Sequence, residues 1–369
     1  MDQPAALDYA ALGNAAVISG LVAALATPLL AWLARRFGAL DRPAGYKVHG
    51  VATPLLGGLA IAAGTVLAVV WVLPESSREH VAGLSALGVG SLIILLAGLL
   101  DDLRGLSATR KFLWQLSAAT AAGLCLALLG VRLNLFLHWP SAPIIALTVL
   151  WVVAITNAMN FLDNMNGLCA GLGALAAFSL SLTNLRSGEV TVAVVSAALG
   201  GACVGFLPYN WPRARIFLGD TGSMLLGFLL AALSVMGVYT RGARVPVLAV
   251  FTPLFVLGVP VLDLLLVLFI RLRIGHPLWA GDRRHISHRL VQRGMHPATA
   301  VATLWAAGAA CALAALLLPT VGATEAPLLF ALLLCALGAL AAAAGTRGLS
   351  STDESDKLKG ASRKLNAEG

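Results

Sequence analysis

The sequence predicts an all-α polytopic membrane protein with about eleven transmembrane helices, and three observations predict it. Mean hydropathy is +0.87, with 59% of the 369 residues hydrophobic and only 11% charged. Soluble domains do not reach such values. Apolar runs long enough to cross a bilayer recur along nearly the whole chain. The basic residues between them crowd onto alternate connections, the pattern of loops retained in the cytoplasm.

The runs lie at about 12–33, 55–74, 83–100, 112–130, 143–159, 169–185, 190–207, 222–240, 246–270, 298–318 and 327–345, with boundaries uncertain by several residues. Segments 34–54, 101–111, 160–168, 208–221, 271–297 and 346–369 hold twenty Lys and Arg. The opposite connections hold five: Arg78, Arg132, Arg186, Arg241 and Arg244. This asymmetry puts the N-terminus outside and the C-terminus in the cytoplasm. The net charge of +8 is therefore loop charge, and no nucleic-acid partner is expected. The first run lacks a basic flank and an A-x-A exit, so no cleavable signal peptide is expected. Residues 1–345 form a single integral-membrane domain. The tail 346–369 is polar, mixed in charge and without aromatics, hence disordered. Cys125, Cys169, Cys203, Cys311 and Cys335 form no C-x-x-C pair and are expected to be small buried hydrophobes.

The outer connections are bland and the inner ones carry the polar chemistry. The third run ends in Asp101-Asp102, with Arg104, Arg110 and Lys111 close behind. The basic residues could neutralise the pair. A divalent cation would relieve both repulsion and desolvation at the edge of hydrocarbon, and aspartate oxygens suit Mg²⁺ or Mn²⁺.

Between the fifth and sixth runs stands NAMNFLDNMNGL, residues 157–168, with four asparagines and Asp163. A helix–helix turn accounts for Asn166 and Gly167. It does not account for Asn157 and Asn160, which share a helix face before the turn and are costly at membrane depth. They are tolerable lining a wet cleft.

Asp220, between Gly219 and Gly222, either caps the eighth apolar helix or adds a carboxylate at the same boundary. The longest inner loop brings His285 and His288 beside Asp282, Arg283 and Arg284, and its histidines and arginines read as donors to a phosphorylated ligand. No cysteine accompanies these histidines, so zinc is a poor reading. Asp41, Lys47 and His49 in the first inner loop are weak singly. Asp263, inside the ninth run, is either a functional carboxylate or a buried partner of Arg271 or an amide. Polar groups from five inner loops at one face suit a single site for metal and phosphate. A transporter would be expected to place them near the midplane, and a non-catalytic scaffold leaves Asp101-Asp102 unexplained.

These motifs resemble the polyprenyl-phosphate N-acetylhexosamine-1-phosphate transferases over about residues 10–345. The resemblance rests on D-x-P…K-x-H…P-L-x-G-G (Asp41 to Gly58), L-D-D-L (Leu100 to Leu103) and N-A-x-N-F-x-D-x-x-N-G-L (Asn157 to Leu168). It continues in G-D-x-G-S-x-x-L-G (Gly219 to Gly227) and D-R-R-H-I-x-H-R-L (Asp282 to Leu290). It implies transfer of N-acetylhexosamine 1-phosphate from a UDP-sugar to polyprenyl phosphate on the cytoplasmic face of the bacterial inner membrane. UMP is released, Mg²⁺ or Mn²⁺ is required, and cell-envelope polysaccharide synthesis is initiated.

Carried over by position, Asp101, Asp102 and Asp220 would handle metal and lipid phosphate, with Asp101, Asp102 and Asp163 as catalytic carboxylates. Asn157, Asn160, Asp163 and Asn166 would shape the nucleotide site. Asp282, Arg283, Arg284, His285 and His288 would meet the diphosphate or sugar, while Lys47 and His49 would help hold phosphate. Two departures stand out: the family's Asp-Gly-x-Asp-Gly reads Asp163-Asn164-Met165-Asn166-Gly167, and its H-I-H-H reads H-I-S-H with Ser287. The N-F-x-D-x-x-N-G-L form is closer to the simple UDP-GlcNAc branch than to the phospho-MurNAc-pentapeptide translocases. The oligomeric state is left open, a homodimer included.

Overall fold

The computed structural model describes residues 9–41, 52–73, 81–128, 141–239, 247–275 and 284–345. In chain order the elements are α1 (Tyr9–Phe37), β1 (Leu40–Asp41), β2 (Thr53–Pro54), α2 (Gly57–Val72), α3 (Val81–Arg104), α4 (Ala108–Leu128) and α5 (Ser141–Leu162). They continue as α6 (Leu168–Arg186), α7 (Val190–Asn210), α8 (Gly219–Met236), a 3-10 turn Val247–Phe251, α9 (Thr252–Val256) and α10 (Gly258–Ile274). The last three are α11 (Ile286–Gln292), α12 (Pro297–Leu317) and α13 (Glu325–Ala344). The one exception to an all-helical chain among the described residues is a two-residue antiparallel ladder, Leu40 opposite Pro54 and Asp41 opposite Thr53.

Every expected apolar run carries helix. Eight helices among the described residues are long and apolar enough to cross a membrane, or nine if a bent pair counts as one span. The difference from eleven has local causes. At 16 residues, α2 is about 24 Å long, short of a hydrocarbon core of roughly 30 Å. The first turn of α4 carries Arg110 and Lys111, and this helix is not among the eight. The run at 246–270 is bent by 73° between Val256 and Gly258. Pro260 is the reason: it donates no amide, and its ring crowds the carbonyl four residues back.

Burial grades from the centre outward. The apolar window of α8 is 89% buried and that of α13 only 11%, so α13 shows its leucines outward in a way only lipid makes favourable. The centre is α8, packed against α2, α3, α5, α6 and α7. Missing side chains allow this crowding. A Cβ on Gly58 would stand 2.2 Å from the Gly222 nitrogen, and one on Gly98 would stand 2.5 Å from the Thr221 Cα. Backbone therefore meets backbone where α2 and α3 cross the start of α8.

The buried reading holds for Cys169, Cys203 and Cys311, Cys335 is exposed on α13, and the side chain of Cys125 lies outside the described residues. The tail 346–369 and the loop residues Lys47, His49, Asp282 and Arg283 lie outside the described residues.

Candidate active site at the first turn of α8

The site is assembled where the C-terminal ends of α3 and α5, the start of α4 and the start of α8 converge. Gly219 opens α8 with φ +74°, a left-handed conformation that glycine adopts without strain. A Cβ there would stand 2.6 Å from Asp102 Oδ2. The amides of Asp220 and Thr221 donate to Asp102 Oδ1 at 2.8 Å and Oδ2 at 3.0 Å, and the Thr221 hydroxyl donates to Oδ2 as well. Asp102, on α3, thus caps α8 from a neighbouring helix. First-turn amides have no intrahelical acceptor, and an anion is favoured there by the helix dipole.

Asp101, adjacent in sequence, faces elsewhere. Its Oδ1 accepts from the Leu106 amide at 2.6 Å, and its Oδ2 lies 2.8 Å from Lys111 Nζ. The same ammonium lies 2.6 Å from Asp220 Oδ1. Asn160 Nδ2 donates to that oxygen too, and to Ser223 Oγ at 2.8 Å. Asp102 is thus hydrogen-bonded to the start of α8, while Asp101 and Asp220 share Lys111.

Asp163 sits in the turn just past α5, outside the spanning helices. Burial pushes its carboxyl up to about 8, repulsion from Asp220 and Asp102 adds to the rise, and Lys111 and the Gly219 backbone hydrogen bond oppose it. The turn itself is tied down by Asn210, which accepts from the Gly167 amide at 2.7 Å and donates to the Ile216 carbonyl at 2.9 Å. Asn166 Nδ2 donates to the Pro212 carbonyl at 3.2 Å. One turn deeper, Asn157 Nδ2 donates to Gln115 Oε1 at 2.6 Å and the Val153 carbonyl at 2.8 Å. This second amide, in place of water alone, explains how Asn157 is accommodated at depth.

The histidine loop approaches from the other side. His285 Nδ1 lies 2.7 Å from Asp263 Oδ2, so the Asp263 carboxylate pairs with an imidazole. Arg271, one of its expected partners, stacks over Phe161 at 5.2 Å. Ser287 Oγ donates to Asn164 Oδ1 at 2.7 Å. Asn164 and Ser287, one from each of the two motifs that depart from the resembling family, therefore touch. Arg284 and His288 are partly buried at the same loop.

The sequence motifs give Lys111 only a neutralising charge and do not point to Gln115, Thr221, Ser223 or Asn210. Lys111 and Gln115 are four residues apart, hence on one face of α4. That spacing was a readable signal. The others depend on contacts between distant segments.

Among the described residues, no three His, Cys, Asp or Glu gather closely enough to hold a metal ion alone. Mg²⁺ does not require three, since it commonly binds one or two carboxylates together with phosphate oxygens. Asp101 and Asp220 share a single ammonium, Lys111, and the Asp163 carboxyl beside them is raised first by its burial and then by Asp220 and Asp102. The donor set is hard oxygen and fits such an ion.

The family model for Glycosyl transferase family 4 matches residues 84–238, which run from within α3 to just past α8. The decaprenyl-phosphate N-acetylglucosaminephosphotransferase of Mycobacterium tuberculosis is 40% identical over 310 residues, 74% of this chain and 75% of the relative. Its Mycobacterium leprae counterpart is 39% identical over 307 residues, 74% of this chain and 76% of the relative. The phospho-N-acetylmuramoyl-pentapeptide-transferase of Geobacillus kaustophilus is 31% identical over 247 residues, 60% of this chain and 74% of the relative. With Asp101, Asp102, Asn160 and Asp220 gathered at the first turn of α8 in a polytopic helical bundle, the chain belongs to glycosyl transferase family 4, the polyprenyl-phosphate N-acetylhexosamine-1-phosphate transferases.

Proposed function

We propose that the protein transfers N-acetylglucosamine 1-phosphate from UDP-N-acetylglucosamine to polyprenyl phosphate, either undecaprenyl or decaprenyl, and releases UMP. This reaction would open synthesis of a cell-envelope polysaccharide. The observation that carries the reading is the carboxylate cluster at the first turn of α8, opposed by Lys111. Greater identity over more of the chain favours the simple-sugar branch over the muramoyl-pentapeptide one. One domain, residues 1–345, would cross the bacterial cytoplasmic membrane about eleven times if α2, α4 and the bent α9–α10 pair each count as a span. The one-sided basic loops support an N-terminus outside, a C-terminus inside and a site facing the cytoplasm.

The proposed cofactor is Mg²⁺ or Mn²⁺, held by Asp220 and Asp163 with phosphate oxygens of the substrate. When bound, it neutralises charge on the diphosphate. Lys111 draws the lipid phosphate towards Asp101, which orients it for in-line attack. Asp102, with both oxygens occupied by α8, keeps the metal-binding turn in place. Asn157 and Asn160 set the position of the Asp220 carboxylate and the cleft wall beside it, and Asn166 borders the nucleotide. Arg284 and His288 donate to the diphosphate or sugar, as does Arg283 in the same loop, while His285 and Asp282 accept from sugar hydroxyls, with Lys47 and His49 completing the phosphate contacts. Positioning and charge neutralisation are the main demands of phosphoryl transfer.

The test is purified protein with polyprenyl phosphate and a panel of UDP-sugars, scored for UMP release. UDP-GlcNAc should be turned over. Turnover of UDP-MurNAc-pentapeptide with none of UDP-GlcNAc or its epimers would reassign the protein to the translocase branch.

A further inference from the structure

A second polar cluster lies around Asp263 on α10. Asp263 is 1% exposed, and a buried carboxylate in a membrane helix needs donor partners for its charge. Both oxygens have them: Oδ2 faces His285 Nδ1 at 2.7 Å, and Oδ1 accepts from the Ile286 amide at 2.8 Å. A carboxylate can only accept, so the shared proton sits on Nδ1 of the ring. Nε2 is then the nitrogen left for a ligand.

The ring is held on other sides too. Phe161 of α5 lies 5.8 Å away between centroids, and His288 lies 6.5 Å away. Phe161 follows Asn160 and precedes Asp163 by two residues. Ser287 reaches Asn164 in the same turn. Asp263 therefore fixes the start of α11, and with it the imidazole, against the segment that carries the α8-facing amide and carboxylate.

We infer that Asp263 is a positioning residue, which holds His285 in the Nδ1–H tautomer so that the Nε2 lone pair can accept from a hydroxyl of the nucleotide sugar. The identity of that ligand rests on the proposed function. The tautomer and the coupling between the two residues do not.

The experiment compares wild type, Asp263→Asn, His285→Gln and the double variant. UMP release gives kcat and KM separately, thermal unfolding gives stability, and ¹⁵N NMR of histidine-labelled protein gives the tautomer. Asp263→Asn should lower kcat on the order of tenfold to a hundredfold, as removal of a ligand-orienting partner does, with KM changing less. It should cost no further activity in the His285→Gln background. The wild-type ¹⁵N spectrum should show His285 protonated at Nδ1, and Asp263→Asn should lose that signature.

An equal loss of kcat in both backgrounds, or wild-type kcat in Asp263→Asn, would overturn the assignment. So would an Nε2–H tautomer in the wild type. Should the wild type release no UMP from any UDP-sugar, the functional reading falls, and the NMR comparison still decides whether Asp263 sets the tautomer.

Discussion

Lys111 and Asp220 meet across 109 positions of sequence, with Nζ 2.6 Å from Oδ1. The contact joins the start of α4 to the start of α8 beside Asn160 and Asp101. Replacing Lys111 by Met removes a preorganised cation from the phosphate site. Steady-state UMP release should fall about 10²- to 10³-fold, the usual effect of deleting one such stabilising group, while Lys111→Arg retains part of the rate. Undiminished turnover in Lys111→Met would exclude the role.

Asp101 and Asp102 should separate in their effects on stability. Asp102 accepts from two amides and a hydroxyl at the start of α8, so Asp102→Asn leaves buried donors unmatched and should cost about 1–3 kcal/mol. Asp101→Asn should cost less stability and still lose most of the activity. Thermal unfolding in detergent beside activity checks both, and equal destabilisation would refute the distinction.

The pH dependence follows from Asp163. Its carboxyl stands at about 8 in the folded protein against 3.8 normally. Between those values the folded state keeps a proton that the unfolded chain has released, so this group's contribution to stability falls as pH rises through that window. Without added metal, Asp163→Asn should flatten the decline between about pH 4 and pH 8. A divalent ion must displace the same proton, so Mn²⁺ affinity measured by electron paramagnetic resonance should rise by at most about tenfold per pH unit towards pH 8. A pH-independent Mn²⁺ affinity would remove Asp163 from the ion's ligands.

Metal removal gives a direct test of the cofactor. Excess EDTA should abolish UMP release, and Mg²⁺ or Mn²⁺ should restore it. Full activity in EDTA would retire the metal. The orientation has its own test: after replacement of the native cysteines, Arg110→Cys should react with impermeant thiol reagents only in opened cells. Ala323→Cys should react in intact cells, and the reverse pattern would put the site on the wrong face for UDP-sugars.

The reaction should proceed by single displacement. A phosphate monoester has a second pKa near 6 and is mostly dianionic at neutral pH, so it needs proximity and charge relief more than a protein nucleophile. Labelled UMP should enter UDP-sugar only when polyprenyl phosphate or the lipid-linked product is present. Exchange in lipid-free enzyme would establish a covalent sugar-phosphate intermediate instead.

The sequence by itself determined the membrane class, the helices and the end of the bundle that carries the chemistry. Those properties are local: apolar length, the one-sided placement of arginine and lysine, and short motifs such as Asp101-Asp102 and Asn157 to Leu168. What each polar side chain faces was decided only by tertiary structure. Asp101 and Asp102 look alike in a string, yet adjacent positions on a helix point about 100° apart. One meets Lys111 and the other the amides of α8. Asp263 likewise found His285, a partner 22 residues away across a loop. The bend before Pro260 and the shortness of α2 also shaped the spans. Close backbone approach at Gly58 and Gly98 set where α8 begins relative to its neighbours. Such relationships join residues far apart in sequence, so they follow from packing and not from local pattern.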